Sequence, residues 1–437
     1  MKLFKRNIFG LLLLLVAAVA VIAVACGGGD DGDDNGDDGQ EPTATVAADG
    51  DGDGDDPGLL AIPEDTTGIT DDEILLGSHL PLTGVAAIYG NAIGPSIQAY
   101  IAYINETQGG VHGRKIRLLI EDDAYEPPQA NEVVRKLVEQ DGIFALLSGL
   151  GTAQHSAVFE YLAEAKVPDL FVATGATLFT EPVTRTAFGY NPNYIQEGTA
   201  MGEFIADRFP DAKLGLILQN DDFGGDGEKG IIIGVEGSGV EIVASETYEA
   251  ANVDLTSQVQ RVINDGATAI AIFALPRQAG SVVSVARDQL SFEGPIIASG
   301  VAADQLTIAL MGGESVENVF TIAYLKPLET EGDEGIERHK EIMAEYGMDV
   351  RPSNISVYGQ SVAELLIEVL TIAGPDLNRR SIVAAAESVR GFVCTVCLGS
   401  INLSPTDHRP IESFKYAEAL NGVWVAFGDL ISYESTP

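Results

Sequence analysis

The stretch EILLGSHLPLTGVAAIYGNAIGPSIQAYIAYINETQGGVHGRKIRLLIEDDAYEPPQA, residues 73–130, decides how the rest of the chain is read. It opens on the apolar run EILLG (73–77), turns through Pro81-Leu82-Thr83-Gly84, and continues over 91–108 with apolar residues at helical spacing. Gly109-Gly110 closes that segment, KIRLLIED (115–122) is a second apolar run, and Pro127-Pro128 opens a helical segment over 127–140. Strand, helix, strand, helix in immediate succession predicts a parallel sheet, because a crossover helix returns the chain to the same edge.

The same alternation runs outward from it. FALLSG (144–149) and DLFVAT (169–174) read as strands around a helix at 153–165. A second series follows: KLGLILQN (213–220), EIVASETY (241–248), AIAIFAL (269–275) and PIIASG (295–300), with helices at 194–209, 254–265 and 278–290. Continuous apolar strands separated by helices predict parallel sheets covered on both faces. Two such series predict two similar α/β lobes, with VFTIAYL (319–325), helices at 335–346 and 356–373, and the tail from Arg390 shared between them. In such sheets ligands bind beyond the carboxyl ends of the strands. The loops at 81–90, 149–154, 173–177, 220–225, 275–278 and 299–301 are therefore the ones expected to touch a ligand.

The chain has 437 residues, 25 Lys+Arg against 65 Asp+Glu and a formal charge of −40. That balance excludes a phosphate-binding surface, so no nucleic acid partner is expected. Residues 27–58 hold 12 acids and no bases among Gly and Asp, a composition that does not order itself. Its DGDGDG run from Asp49 lacks the bidentate Glu of a calcium loop, since the twelfth position is Leu60. Before it, Lys2, Lys5 and Arg6 precede an apolar run from Ile8 to Ala25 broken only by Gly10, then Cys26. This is the shape of an export signal. Ala23-Val24-Ala25-Cys26 resembles a bacterial lipobox with Ala where Leu is usual, which implies lipid on Cys26; an uncleaved anchor helix is the alternative. Either places the body outside the cytoplasm, held at the membrane.

Chemistry leaves no signature. The chain has no G-x-S-x-G elbow, H-E-x-x-H pair or Walker loop, and His79, His112, His155, His339 and His408 are scattered without i,i+4 pairing. No enzyme activity, metal or cofactor is expected. Cys394 and Cys397, spaced C-x-x-C, are too few for a structural zinc site. A short-loop disulfide and two reduced, half-buried thiols both fit them.

Read together, residues 73–130, SGLGTAQHSA (148–157), KVPDLFVATGA (166–176), QNDDFGGDGEKG (219–230) and SPTDHRPI (404–411) resemble the branched-chain amino acid binding proteins. These are solute receptors of ABC importers with the type I periplasmic-binding fold, and the resemblance covers nearly all of 72–430. It implies two Rossmann-like lobes joined by three hinge crossovers and closing on a ligand. The expected division is a signal peptide at 1–25, a disordered tether at 26–70, one lobe from 71–190 plus 325–395, and the other from 191–324 plus 396–437. By the same resemblance Tyr89 covers the ligand, the Thr152 hydroxyl holds its carboxylate, Ala173 and Thr174 supply further amides and a hydroxyl, and Phe223 is an aromatic from the opposite lobe. Where the family places acids for an α-ammonium, this chain aligns Ser299 and Tyr194. An unpaired buried ammonium costs several kcal/mol, so an aromatic or other non-amino-acid carboxylate is expected over a branched-chain amino acid. The implied partners are a small-molecule ligand, ABC permease subunits, and the membrane through the N-terminal lipid. The alternative is a ligand-sensing domain that signals to a membrane partner.

Overall fold

A computed structural model describes residues 56–312 and 316–433. The export signal, Cys26 and most of the acidic segment lie outside the described residues.

The first lobe carries a five-stranded sheet of order β2-β1-β3-β4-β5, all parallel. Its strands are β1 (Glu73–Leu80), β2 (Lys115–Asp122), β3 (Ala145–Leu147), β4 (Asp169–Val172) and β5 (Ala187–Gly189). Helix α1 (Pro57–Leu60) precedes them, and α2 (Ala87–Thr107), α3 (Pro127–Lys136) and α4 (Thr152–Ala165) connect them. β1 is buried at seven of its eight positions, as a strand covered on both faces must be. Phe144, Phe171 and Phe188 are fully buried here, each stabilising by about 1.5–3 kcal/mol relative to exposure.

The second lobe contains α5 (Tyr194–Arg208), α6 (Asp222–Val235), α7 (Thr256–Asn264), α8 (Pro276–Ser284) and α9 (Gln305–Leu310). Its sheet has the order β12-β11-β10-β9-β8-β6-β7. β6 (Lys213–Gln219), β7 (Glu241–Tyr248), β8 (Ala269–Phe273), β9 (Ile296–Ala298) and β10 (Val319–Ala323) are parallel. β11 (Ser413–Leu420) and β12 (Val423–Ser432) add an antiparallel hairpin on the β10 edge. α5 and α6 approach so closely that a Cβ on Gly198 would lie 2.5 Å from the Gly227 oxygen, and one on Gly234 would lie 2.1 Å from the Thr199 oxygen.

After β10 the chain returns to the first lobe as α10 (Glu334–Tyr346), α11 (Asn354–Ala373) and α12 (Arg379–Glu387). α11 is apolar and long enough to cross a membrane, but it is a core helix, 78% buried over its most apolar window. Cys394 and Cys397 form a disulfide, and both are buried. The bonded loop braces a hinge strand: Lys326 N donates to the Val396 oxygen at 2.9 Å, and Leu398 N to the Tyr324 oxygen at 3.2 Å.

Two expected boundaries move. The tether does not extend to residue 70, because from Asp56 the chain is fixed to the first lobe. Leu59 and Ile62 enter its core, Arg185 pairs with Asp56 at 2.7 Å, and Arg379 pairs with Asp65 at 3.0 Å. Nor does the chain leave that lobe at 396. Ile401 pairs with Phe392, Leu403 N donates to the Val389 oxygen, and the His408 oxygen accepts from Gly189 N on β5. The last crossing falls just before β11, because Ile401, Leu403 and Ile411 find their apolar partners in the first lobe.

Candidate functional site

Both sheets reverse their strand order where the chain is most open to a ligand. In the first lobe the reversal lies between β1 and β3, and in the second between β6 and β8. The loops at these two points face each other across a cavity of about 110 Å³.

One wall is built at the start of α4. Gly151, at φ 102°, caps the helix without a side-chain hydrogen bond, so the first-turn amides are uncapped by side chains at the cavity. A helix N-terminus of this kind favours negative charge. Thr152 is the first helical residue, and its hydroxyl lies 2.6 Å from that of Thr174. Ala173 N donates to the Gly149 oxygen, tying the β4 loop to the β3 loop. Thr152, Ala173 and Thr174 therefore line the cavity together.

The opposite wall is aromatic. Asn193 caps α5 by accepting from Ile195 N and Gln196 N, which sets Tyr194 at the first position of the helix. Asp221 caps α6 in the same way and sets Phe223. The Tyr194 and Phe223 rings lie 4.7 Å apart, and both pack against Phe273. From the first lobe, Tyr89 on α2 reaches across and its hydroxyl donates to the Val301 oxygen. Burial pushes the hydroxyls of Tyr89 and Tyr194 above the usual tyrosine range, so both stay protonated donors.

Ser299 is not at the cavity. It is fully buried, its N–H donates to the Ile272 oxygen, and its oxygen accepts from Thr321; the next residues, Gly300 and Val301, form the wall instead. β9 ends at Ala298, and the turn that follows points the serine inward. The expectation that Ser299 touches a ligand is corrected accordingly.

Sequence reasoning missed several contributors. Tyr125, Tyr324 and Tyr358 complete the aromatic lining. Asp304 also lines it, accepting from Leu306 N at 2.9 Å as the cap of α9, and burial raises its carboxyl above the usual range. Behind the wall, Glu197 on α5 accepts from Gly300 N, and complete burial raises its carboxyl to about 7. A signal did exist for Asp304: Asp before Gln-Leu-Thr-Ile is a helix N-cap pattern. Nothing local marks Glu197 as buried.

A family model of periplasmic binding proteins matches residues 73–422. The Leu/Ile/Val-binding protein homolog 1 of Brucella suis is 28% identical over 251 residues, 56% of this chain and 65% of that protein. Its Brucella abortus counterpart is 25% identical over 336 residues, 76% of this chain and 86% of that protein. The fold is shared with the fatty acid ABC transporter substrate-binding protein from Thermomonospora curvata. There the TM-score is 0.74 and the identity 23%, over 85% of this chain and 95% of that one. A branched chain amino acid ABC transporter protein from Thermus thermophilus with bound valine gives a TM-score of 0.74 at 19% identity, over 83% and 97%. With two α/β lobes about a cavity and a family match over most of its length, the chain belongs to the periplasmic binding protein family and is similar to its Leu/Ile/Val-binding members.

Proposed function

We propose that this chain is the extracytoplasmic receptor of an ABC importer, lipid-anchored through Cys26, which closes on a small organic carboxylate and delivers it to permease subunits. The observation that carries the reading is the pairing of Thr152 and Thr174, 2.6 Å apart at the N-terminus of α4, inside an aromatic cavity. Hydroxyls and helix amides suit a carboxylate, and Tyr194 and Phe223 suit a flat or branched apolar body. The ligand favoured is an aromatic or other carboxylate without an α-ammonium, because Tyr194, at the wall, offers no opposite charge. Asp304 supports a second reading, an amino acid whose ammonium meets that carboxylate.

Calorimetric titration with benzoate and leucine separates them. Binding of benzoate with leucine ignored supports the first reading, and the reverse result supports the second. Binding of neither, with no ligand-induced fall in radius of gyration across a panel of small carboxylates, would overturn the receptor assignment. The anchor has its own test: Cys26→Ala should block processing or release the protein from the membrane, whereas normal processing and retention would point to an uncleaved helix.

A further inference from the structure

Beneath the Thr152 wall lies a chain of four buried ionisable side chains that the ligand site does not use. Asp123 Oδ2 is 2.7 Å from His79 Nδ1, His79 Nε2 is 3.0 Å from His155 Nδ1, and His155 Nε2 is 2.7 Å from Asp169 Oδ2. The two imidazoles stack with centroids 5.3 Å apart and planes 14° from parallel. None of the four is more than 1% exposed. They join the ends of β1 and β2 to β4 and α4.

Each of the three contacts needs one hydrogen, and an ionised carboxylate brings none. Two neutral imidazoles supply two hydrogens. The third contact is therefore made only if one further proton is held, on His155 Nε2 or on Asp169 Oδ2. Asp123 is the better-satisfied carboxylate, since its Oδ1 accepts from Tyr125 N at 2.8 Å, which leaves that proton at the His155–Asp169 end. Without it, two carboxylates would stay ionised in a dry interior, facing a ring with no hydrogen to offer. Asp169 is poorly placed for that, since its Oδ1 is buried without a partner. The charged groups that face the rings are Asp123 and Asp169; on the His155 side the neighbours are the Phe159 and Phe179 rings.

The pair bears directly on the ligand loop. A Cβ on Gly149 would lie 2.4 Å from His79 Nε2 and 2.7 Å from His155 Nδ1, so the loop rests on the rings. Leu150 N donates to the His79 oxygen, and His155 N to the Gly151 oxygen. Thr152 opens the helix that carries His155.

We propose that Asp123, His79, His155 and Asp169 are positioning residues that hold the Gly149–Thr152 loop in its ligand-ready form, and that this support depends on one bound proton. The assignment of the loop to a ligand rests on the receptor reading above; the proton and its effect on the loop do not. As pH rises the proton leaves, the third hydrogen bond is lost, and the loop loosens.

The test uses the full chain without ligand. Histidine ¹⁵N NMR and amide hydrogen exchange at Leu150 to Gln154 are followed from ~pH 5 to ~pH 9. Three hydrogen-bonded protons are expected at the acid end, and one should leave in a single step. With that step, loop exchange should rise at least about fivefold beyond its intrinsic pH dependence. Asp169→Asn replaces the titrating proton with a permanent amide donor to His155, so the step should vanish and the loop stay protected. Asp123→Asn gives the same result by another route. Its amide donates to His79 Nδ1, and two neutral imidazoles then complete the remaining bonds toward Asp169. Having both variants keeps the test open if one fails to fold. Loop protection that is flat with pH in the wild type, or an unchanged step in either folded variant, would overturn the proposal. Every arm is ligand-free, so a failure of the receptor reading leaves these outcomes untouched.

Discussion

The hydroxyl of Tyr89 donates to the carbonyl oxygen of Val301, joining residues 212 positions apart across the cleft. It bridges the two sides of the cavity. Tyr89→Phe keeps the ring at the cavity but removes the donor to the half-buried Val301 oxygen, which costs about 0.5–1.5 kcal/mol. Ligand affinity should fall roughly 2- to 13-fold, and solution scattering should show less closure at equal ligand occupancy. Affinity equal to wild type would mean that the contact contributes nothing to closing.

Thr152→Ala should weaken carboxylate binding by about 1–3 kcal/mol, because it removes one hydroxyl from a desolvated pair. Thr152→Ser keeps the hydroxyl and should stay within about twofold of wild type. Calorimetry on both variants separates a lost hydrogen bond from a disturbed helix start, since only the latter would lower affinity in both.

Asp304→Asn distinguishes the two ligand classes. If the ligand lacks an ammonium, removing this negative charge should leave its affinity unchanged or improve it. If the ligand is an amino acid, a buried charge pair is broken, and the loss should be roughly tenfold or more. Introducing an acid at Ser299 would not serve, because that side chain is fully buried behind the wall.

Glu197 makes stability depend on pH. Burial raises its carboxyl from 4.5 in the unfolded chain to about 7. The folded form therefore favours the neutral acid, and stability is greatest below the unfolded value and declines as pH rises toward 7. The decline totals on the order of 3 kcal/mol. His339, held between Gln360 and Ser356, works in the opposite sense, because burial lowers it from 6.5 to about 4 and stability is lost as pH falls across that window. The wild-type profile mixes the two, so the diagnostic quantity is a difference. Denaturant unfolding at several pH values should show Glu197→Gln gaining on wild type steadily between about pH 4.5 and 7. A constant difference would refute the assignment.

Legibility in the sequence followed the local physics. β2 and β7 coincide with the runs that announced them although both are edge strands open on one side, with Ile116 and Leu118 buried in β2 and Tyr248 in β7. α6 went unread because DFGGDGEKGIIIGV carries five glycines, which weigh against a helix in isolation. Gly230 and Gly234 face an α5 backbone too close for side chains, Gly224 and Gly227 press on Gln219 and the Phe273 ring, and Gly225 faces open space. β11 and β12 are only partly buried, with Trp424 the one buried residue of β12, so the tail gave no parallel-strand signal. At the site, Tyr89, Thr152 and Phe223 were found through motif resemblance, and the structure brings them to one cavity. Ser299 was misplaced because a turn one residue long decides which way a side chain faces. Asp304 carries a local N-cap signal that says nothing of the cavity, and the contact of Glu197 with Gly300 spans 103 positions that no window of sequence contains.

The stitching of residues 56–70 has a mechanical consequence. Arg185, Arg379 and Arg380 fasten this stretch to the first lobe, with Arg380 reaching the Ile62 oxygen at 2.9 Å and Glu64 at 2.6 Å. No comparable attachment to the second lobe is found among the described residues. Any pull or restraint transmitted through the chain before Asp56 is thus delivered to one side of the hinge only. On the receptor reading proposed above, that side would be the grounded half and the second lobe the moving jaw. Opening and closing would then not drag against whatever holds the N-terminus.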